Sequence, residues 1–285
     1  MLSGCLYNYV RKRVESISKY FASSKVHGGI ESIHNLRVEI KRLRAVQNLI
    51  KCLKPDISYK SAYKYIRPLF KISGKLRDAQ VQMETIHGAM SAYNLELSEY
   101  YNIIKYGESE LKNDYVEFCR NYDVANFNKV LRNTEKAMQA MKDISFENKI
   151  KDCFQDKLNQ VVYQKKETFL SADDYHKIRI NIKAARYILE VIRECLPERQ
   201  SYEDLNEGLK TMHQALGIWH DKEVEIAAIE KFITREKGRS FFDMQAYEKY
   251  INMLKTEKSE HLGSFENRWG YFIKLLEIHG YSYPD

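Results

Sequence analysis

Eight side chains in this sequence are suited to anion chemistry, and they come in two sets of four. Residues 34–44 read HNLRVEIKRLR and residues 176–186 read HKIRINIKAAR. Both fit H-x-x-R-x-x-x-K-x-x-R. His34, Arg37, Lys41 and Arg44 thus recur as His176, Arg179, Lys183 and Arg186, 142 residues later in a chain of 285. An arginine fork can grip oxyanions bidentately, a lysine adds a mobile point charge, and a histidine changes charge near neutral pH. The apolar positions between them match as well, Leu36 with Ile178 and Ile40 with Ile182. Self-similarity over half the chain implies two related halves, each presenting a basic strip.

The spacing fixes what must carry each strip. On a helix at 100° per residue, each set of four falls within an arc of roughly 80° and a length of about 15 Å. Leu36, Ile40, Leu43 and Ile50 lie on the far side of the first copy, and Ile178, Ile182, Leu189 and Ile192 on that of the second. Each helix is expected to bury one face and offer three fixed cations and a histidine on the other. Like charges three and four residues apart weaken a helix by a few tenths of a kcal/mol per pair. A merely solvated face more often alternates sign. The doubled repulsion suggests a counter-charge supplied from outside.

A second matched block follows each strip, ISGKLRD at 72–78 and ALGIWHD at 215–221. The shared pattern is G-x-x-(R/H)-D. Glycine inside a helix costs about 1 kcal/mol relative to alanine, so Gly74 and Gly217 are expected to allow close helix approach or to mark a kink. Asp78 and Asp221 are expected to anchor a strip Arg or Lys through an ion pair. His213 and His220, with Asp221, could make a metal site if the helix runs on past Gly217, but buried or inward-facing histidines are the simpler reading.

The charge is uneven. Residues 1–142 carry 24 basic and 14 acidic side chains, residues 143–285 carry 22 and 25, and residues 1–86 alone carry 17 and 6. A field of that sign attracts polyanions without naming which. The first copy is therefore expected to carry more of the affinity. Five scattered cysteines, odd in number and without C-x-x-C, argue for reduced thiols and a cytoplasmic location. No apolar run approaches the length of a membrane span. The start, Met1 to Cys5, superficially resembles a lipoprotein cleavage site but lacks the preceding charged and apolar regions, so no signal is expected.

Helical periodicity runs almost throughout. Segments are expected near 6–23, 32–53, 58–90, 96–121, 126–142 and 147–169. The second strip helix should open on a cap at Ser171 to Asp174 and close at Pro197, as Pro55 closes the first. Segments near 202–217, 221–237, 241–261 and 265–279 complete the chain. Pro68 must be a kink or a fresh start. The expected fold is all-α, with two pseudo-symmetric antiparallel bundles of about four helices each and a boundary near 143–150. If the strips lie near the pseudo-axis, their charges meet across a shared cavity.

The two strips with their G-x-x-x-D blocks resemble the CHAD family, the conserved histidine α-helical domain, over nearly the whole chain. The resemblance implies one domain over 1–285 with halves 1–145 and 146–285. It implies a basic surface and central pore that bind inorganic polyphosphate, and association with polyphosphate granules. By resemblance His34, Arg37, Lys41, Arg42, Arg44, Arg77, His176, Arg179, Lys183 and Arg186 map to the binding positions. Two departures are His220 where the first block has Arg77, and Ala184 at the position matching Arg42. The tunnel domain often fused to the family, with its E-x-E-x-K signature, is not found.

Binding without catalysis is expected, with no catalytic residue, metal or cofactor. Phosphoryl chemistry usually needs carboxylates to hold Mg²⁺, and no acidic cluster accompanies the strips. Nucleic acid is disfavoured, since neither stacking aromatics interleaved with the basic strips nor a helix-turn-helix reader is evident. His34 and His176 are expected to be largely neutral when unliganded and to gain protons with a bound phosphate, so that affinity rises as pH falls.

Overall fold

The computed structural model describes residues 2–54, 62–139, 141, 146–166, 169–196, 202–236 and 244–281. Among these there are nine α-helices and one short 3-10 helix, and no strands. The first half holds α1 (Leu2–Ser24), α2 (Ile30–Leu53), the 3-10 turn Ala62–Tyr65, α3 (Arg67–Tyr93), α4 (Ser98–Asn121) and α5 (Ala125–Gln139). The second holds α6 (Phe146–Lys165), α7 (Ala172–Cys195), α8 (Glu203–Glu236) and α9 (Met244–Ile278). Pro55, Pro197 and part of the expected boundary at 143–150 lie outside the described residues.

Local chemistry accounts for most of the helix ends. Pro68 sits in the first turn of α3, where its missing N–H costs nothing, so it starts a helix rather than kinking one. The Ser171 hydroxyl accepts from the Asp174 N–H while the Asp174 carboxylate accepts from the Ser171 N–H, a reciprocal cap on α7. Gly28 turns the chain from α1 into α2 at φ +57°, where a side chain would meet Leu76, and its carbonyl accepts from Gln80. Two expected breaks are absent. The segments at 202–217 and 221–237 form one helix, as do those at 241–261 and 265–279. Gly217 and Gly263 are tolerated inside because long apolar faces, Leu205 through Phe232 and Tyr247 through Leu276, are buried on either side.

The helices pair α1 with α2, α3 with α4, α6 with α7, and α8 with α9, and the halves meet where α2 and α1 touch α7 and α2 touches α6. Leu36, Ile40, Leu43, Ile178, Ile182, Leu189 and Ile192 are all fully buried, as the wheels required. One apolar core runs through both halves. A second cluster joins Ile86 and Tyr100 of the first half to Ile229, Phe232 and Tyr247 of the second. There the rings of Tyr100 and Phe232 lie 4.9 Å apart. No helix among the described residues is long and apolar enough to cross a membrane.

The cysteines depart from expectation. Cys5 is bonded to Cys195 and Cys52 to Cys153, and only Cys119 is a thiol, buried beside Tyr115. Cys52 and Cys195 are near-equivalent positions at the ends of α2 and α7, and each ties its strip helix to the first helix of the opposite half. Partners 190 and 101 residues apart leave no spacing motif to read. The cysteines therefore give no support to a reducing compartment. Alkylation of unreduced, denatured protein is expected to label Cys119 alone. Reduction should cost about 2–4 kcal/mol per bridge, read as a lower thermal midpoint; five labelled cysteines without reductant would refute the pairing.

Candidate functional site

With their apolar backs buried in one core, α2 and α7 turn their basic faces toward a common space that α3 and α8 flank. Lys41 lies within electrostatic reach of Arg37 on its own helix and of Arg179 on α7. Lys183 faces Lys41, Arg179, Arg186 and Arg37. The strips thus meet and do not lie on opposite outer surfaces. Burial first, then these cations, push Lys41 down to about 8 and Lys183 to about 7. Arg37 and Arg179 are also lowered, chiefly by burial.

Each strip arginine is held differently. Arg37 donates to the Phe70 carbonyl at 2.9 Å and lies over the Phe70 ring, 4.5 Å from its centre. It passes directly over Gly74, where a Cβ would come within 2.6 Å of its Nη1. Arg179 approaches Asp221 at 4.0 Å, and the space beside Gly217 is open. So only the first glycine clears a path for a strip arginine, and both lie inside continuous helices. Asp78 and Asp221 lie near enough to interact. Burial raises the Asp78 carboxyl, Arg37 and Lys41 oppose the rise, and Asp221 adds to it.

The other expected residues divide. Arg186 joins the cluster, lies over Tyr187 and stands 3.9 Å from Glu190. His34 and Arg44 are exposed, Arg44 near the Tyr63 ring. Burial first, then Arg77 and Lys41, lower His34. Arg77 also approaches Glu84 at 3.5 Å. His176 stacks obliquely on His220 at 4.7 Å, so the second half has a histidine pair where the first sets His34 beside Arg77. Arg42 is set apart by its carboxylate partners. It donates to Glu39 at 2.7 Å and to Glu190 at 3.0 Å. Burial opposes its charge, but Glu190 and Glu39 outweigh burial and its pKa is raised.

One residue of the cluster was not singled out as a binding position. His213 of α8 sits among Arg186, Lys183, Arg179 and Lys41, with its Nε2 buried and unbonded. Burial and those cations push it to about 3, so it is neutral and offers the cluster an uncharged hydrogen-bonding group. Its only sequence signal was the seven-residue spacing to His220 on a helix that proves continuous. Among the described residues no group of three or more His, Cys, Asp or Glu side chains is placed to hold a metal ion.

The paired strips with their G-x-x-x-D blocks, facing each other from equivalent helices, coincide with a family profile described as the CHAD domain, which matches residues 8–230. The chain belongs to the CHAD family. CHAD domains are associated with polyphosphate binding or processing. The CHAD match covers α2, α3, α7 and most of α8, and with them every strip residue. The fold is similar to the crystal structure of the CHAD domain from the plant Ricinus communis, with a TM-score of 0.71 and 16% identity over 100% of this chain and 94% of that one. It is equally similar to PptA from Streptomyces chartreusis, with a TM-score of 0.71 and 11% identity over 94% of this chain and 99% of that one. No curated protein matches the chain by sequence.

Two outcomes test this geometry. Gly217→Ala should stabilise the CHAD fold by about 0.5–1 kcal/mol, the helix propensity of alanine with no clash to offset it. Gly74→Ala should show no such gain, because it displaces Arg37 from Phe70; equal melting shifts for the two would contradict the difference. Lys183→Met should stabilise the unliganded protein by on the order of 1–2 kcal/mol near pH 7. The sign follows from linkage: with a folded value of about 7 against 10.5, the native state binds fewer protons than the unfolded state between those values. Wild-type stability should therefore rise with pH across that window, and the advantage of the methionine should vanish at its top. Denaturant titrations across that range would read both, and a destabilised methionine variant would refute the burial of a costly charge.

Proposed function

We propose that this CHAD protein is a binding module for inorganic polyphosphate, without a catalytic step, working as one domain with halves 1–145 and 146–285. The observation that supports this most is the meeting of Lys41 with Lys183, backed by Arg37, Arg179 and Arg186, from equivalent helices of the two halves. That arrangement is self-repelling when empty and is relieved by an anion lying along the seam. Polyphosphate carries about one negative charge per phosphate on a flexible chain, and several of its oxygens can be met at once by arginine forks and lysine ammoniums. The basic seam serves as the pore. Arg77, His34, Arg44 and His176 extend it toward the surface, and binding directs the protein to polyphosphate granules.

Titration with labelled long-chain polyphosphate tests this. Lys41→Glu/Lys183→Glu should weaken binding by about two orders of magnitude, since two attractive charges become repulsive. Wild-type affinity should fall steeply with salt as counterions are released. It should also fall as pH rises from about 7 to 9, because Lys183 and then Lys41 lose the protons that an anion needs. Unchanged binding in the double variant would overturn the site. Tighter binding of RNA at matched salt would overturn the ligand, and shortening of the chain during incubation with Mg²⁺ would overturn the absence of catalysis.

A further inference from the structure

Beyond Lys183 the cationic seam leads past Arg186 into an open cavity of about 810 Å³ whose walls include Arg13, Arg42, Arg186, Glu190 and Glu194. Two carboxylates reach the strip-helix guanidiniums there, and they are not alike. Glu39 is buried, with 8% of its side chain exposed, and binds both Arg13 and Arg42. Glu190 keeps 22% of its side chain exposed in the cavity wall. It accepts from Arg42 Nε at 3.0 Å and stands 3.9 Å from Arg186 Nε, which is itself buried without a hydrogen bond. Arg42 therefore has a second, buried partner, and Arg186 is matched only loosely.

Glu190 also breaks the internal repeat. Its equivalent in the first half is Asn48, and that of Glu39 is Asn181. The duplicated helix pair does not need an acid at either place. Arg186 belongs to the strip, since it acts on Lys183 and His213, and Glu190 is the anion at the strip's end. We propose that Glu190 is a built-in competitor, a carboxylate occupying the Arg42–Arg186 end of the seam that a polyphosphate must displace, so that it sets the minimum ligand length. This rests on the polyphosphate reading above.

The physical basis is competition for the same donors. A carboxylate held by one charge-assisted hydrogen bond and one longer ion pair lowers the apparent affinity of any ligand that must evict it. A short polyphosphate has few phosphates left to engage Lys41, Lys183, Arg37 and Arg179 once it has replaced Glu190. A long chain engages all of them and displaces Glu190 at small relative cost. Selectivity for length then comes from a group that opposes the wrong ligand as well as from those that attract the right one.

The test compares tripolyphosphate with long-chain polyphosphate, at matched ionic strength, on wild type, Glu190→Gln, Glu190→Asn and Glu15→Gln. Glu15 is an exposed acid on α1 that pairs with Arg11, and its variant makes the same change in net charge. Both Glu190 variants should bind tripolyphosphate about tenfold tighter, a change of about 1.4 kcal/mol, with a smaller gain for the long chain and no change in Glu15→Gln. Unchanged or weaker tripolyphosphate binding by a folded Glu190 variant would overturn the proposal. So would an equal gain in Glu15→Gln, which would make the effect one of overall charge. Loss of a cooperative melt in both Glu190 variants would assign the carboxylate to folding and overturn it as well. A wild type that binds long chains while its variants gain nothing leaves the polyphosphate reading standing and removes only this one; a wild type that binds neither removes both.

Discussion

The repulsion across the seam between α2 and α7 is the constraint around which this molecule is arranged. Two lysines and two arginines from opposite halves share a partly buried space, and both lysines are pushed well below their ordinary value. Left alone, such a seam would open. It stays closed because each helix is committed on its other face, where Leu36, Ile40, Ile178 and Ile182 are fully buried in one continuous core. Cross-half ties add to this. Arg42 reaches Glu190, Lys12 reaches Glu194, and two disulfides bind the ends of α2 and α7 to the opposite half. At the far ends of α3 and α8 the second apolar cluster closes the frame. The strain of like charges is confined to the seam, and groups perturbed in this way are common at functional sites.

The internal duplication supplies the frame but not the details. Gly74 makes room for Arg37, whereas its counterpart Gly217 has open space beside it. Arg77 stands near His34, and the matching pair in the second half is His176 with His220. Glu39 and Glu190 match asparagines. Each difference changes charge or access, while the apolar faces of α2 and α7 keep their buried match. This is the pattern expected when packing is held fixed and the surface of a shared site diverges.

Much of this was legible in the sequence, for a physical reason. A helix that must bury one face and present the other writes both requirements into the same 3.6-residue period, so the strips and their burial followed from spacing, while the repeat made their meeting conditional on an axis between them. The cap at Ser171 was legible because its reciprocal hydrogen bonds need particular residues three apart. The continuity of α8 and α9 was not, because a single glycine looks like a break until the tertiary contacts that override it are known. Nor was the disulfide pairing, which depends on which helices touch across the seam. Arg42 was grouped with the strip by resemblance, against what the wheel implies. Its neighbour Lys41 points into the cluster, but one residue further along a helix is 100° further round, and Arg42 meets carboxylates instead.

A summed charge and the groups at the seam weigh different things. The acidic excess of the second half suggested a weaker anion site there, but much of it lies along α8 and α9, where Glu257, Glu223 and Glu230 bind Lys222, Lys258 and Lys255. At the seam the second half contributes Arg179, Lys183, Arg186 and the neutral His213, beside Arg37, Lys41 and Arg77 of the first. A summed charge steers an approaching polyanion over a Debye length, but affinity is decided by the groups the ligand touches after losing water. Those groups lie between helices and are partly buried.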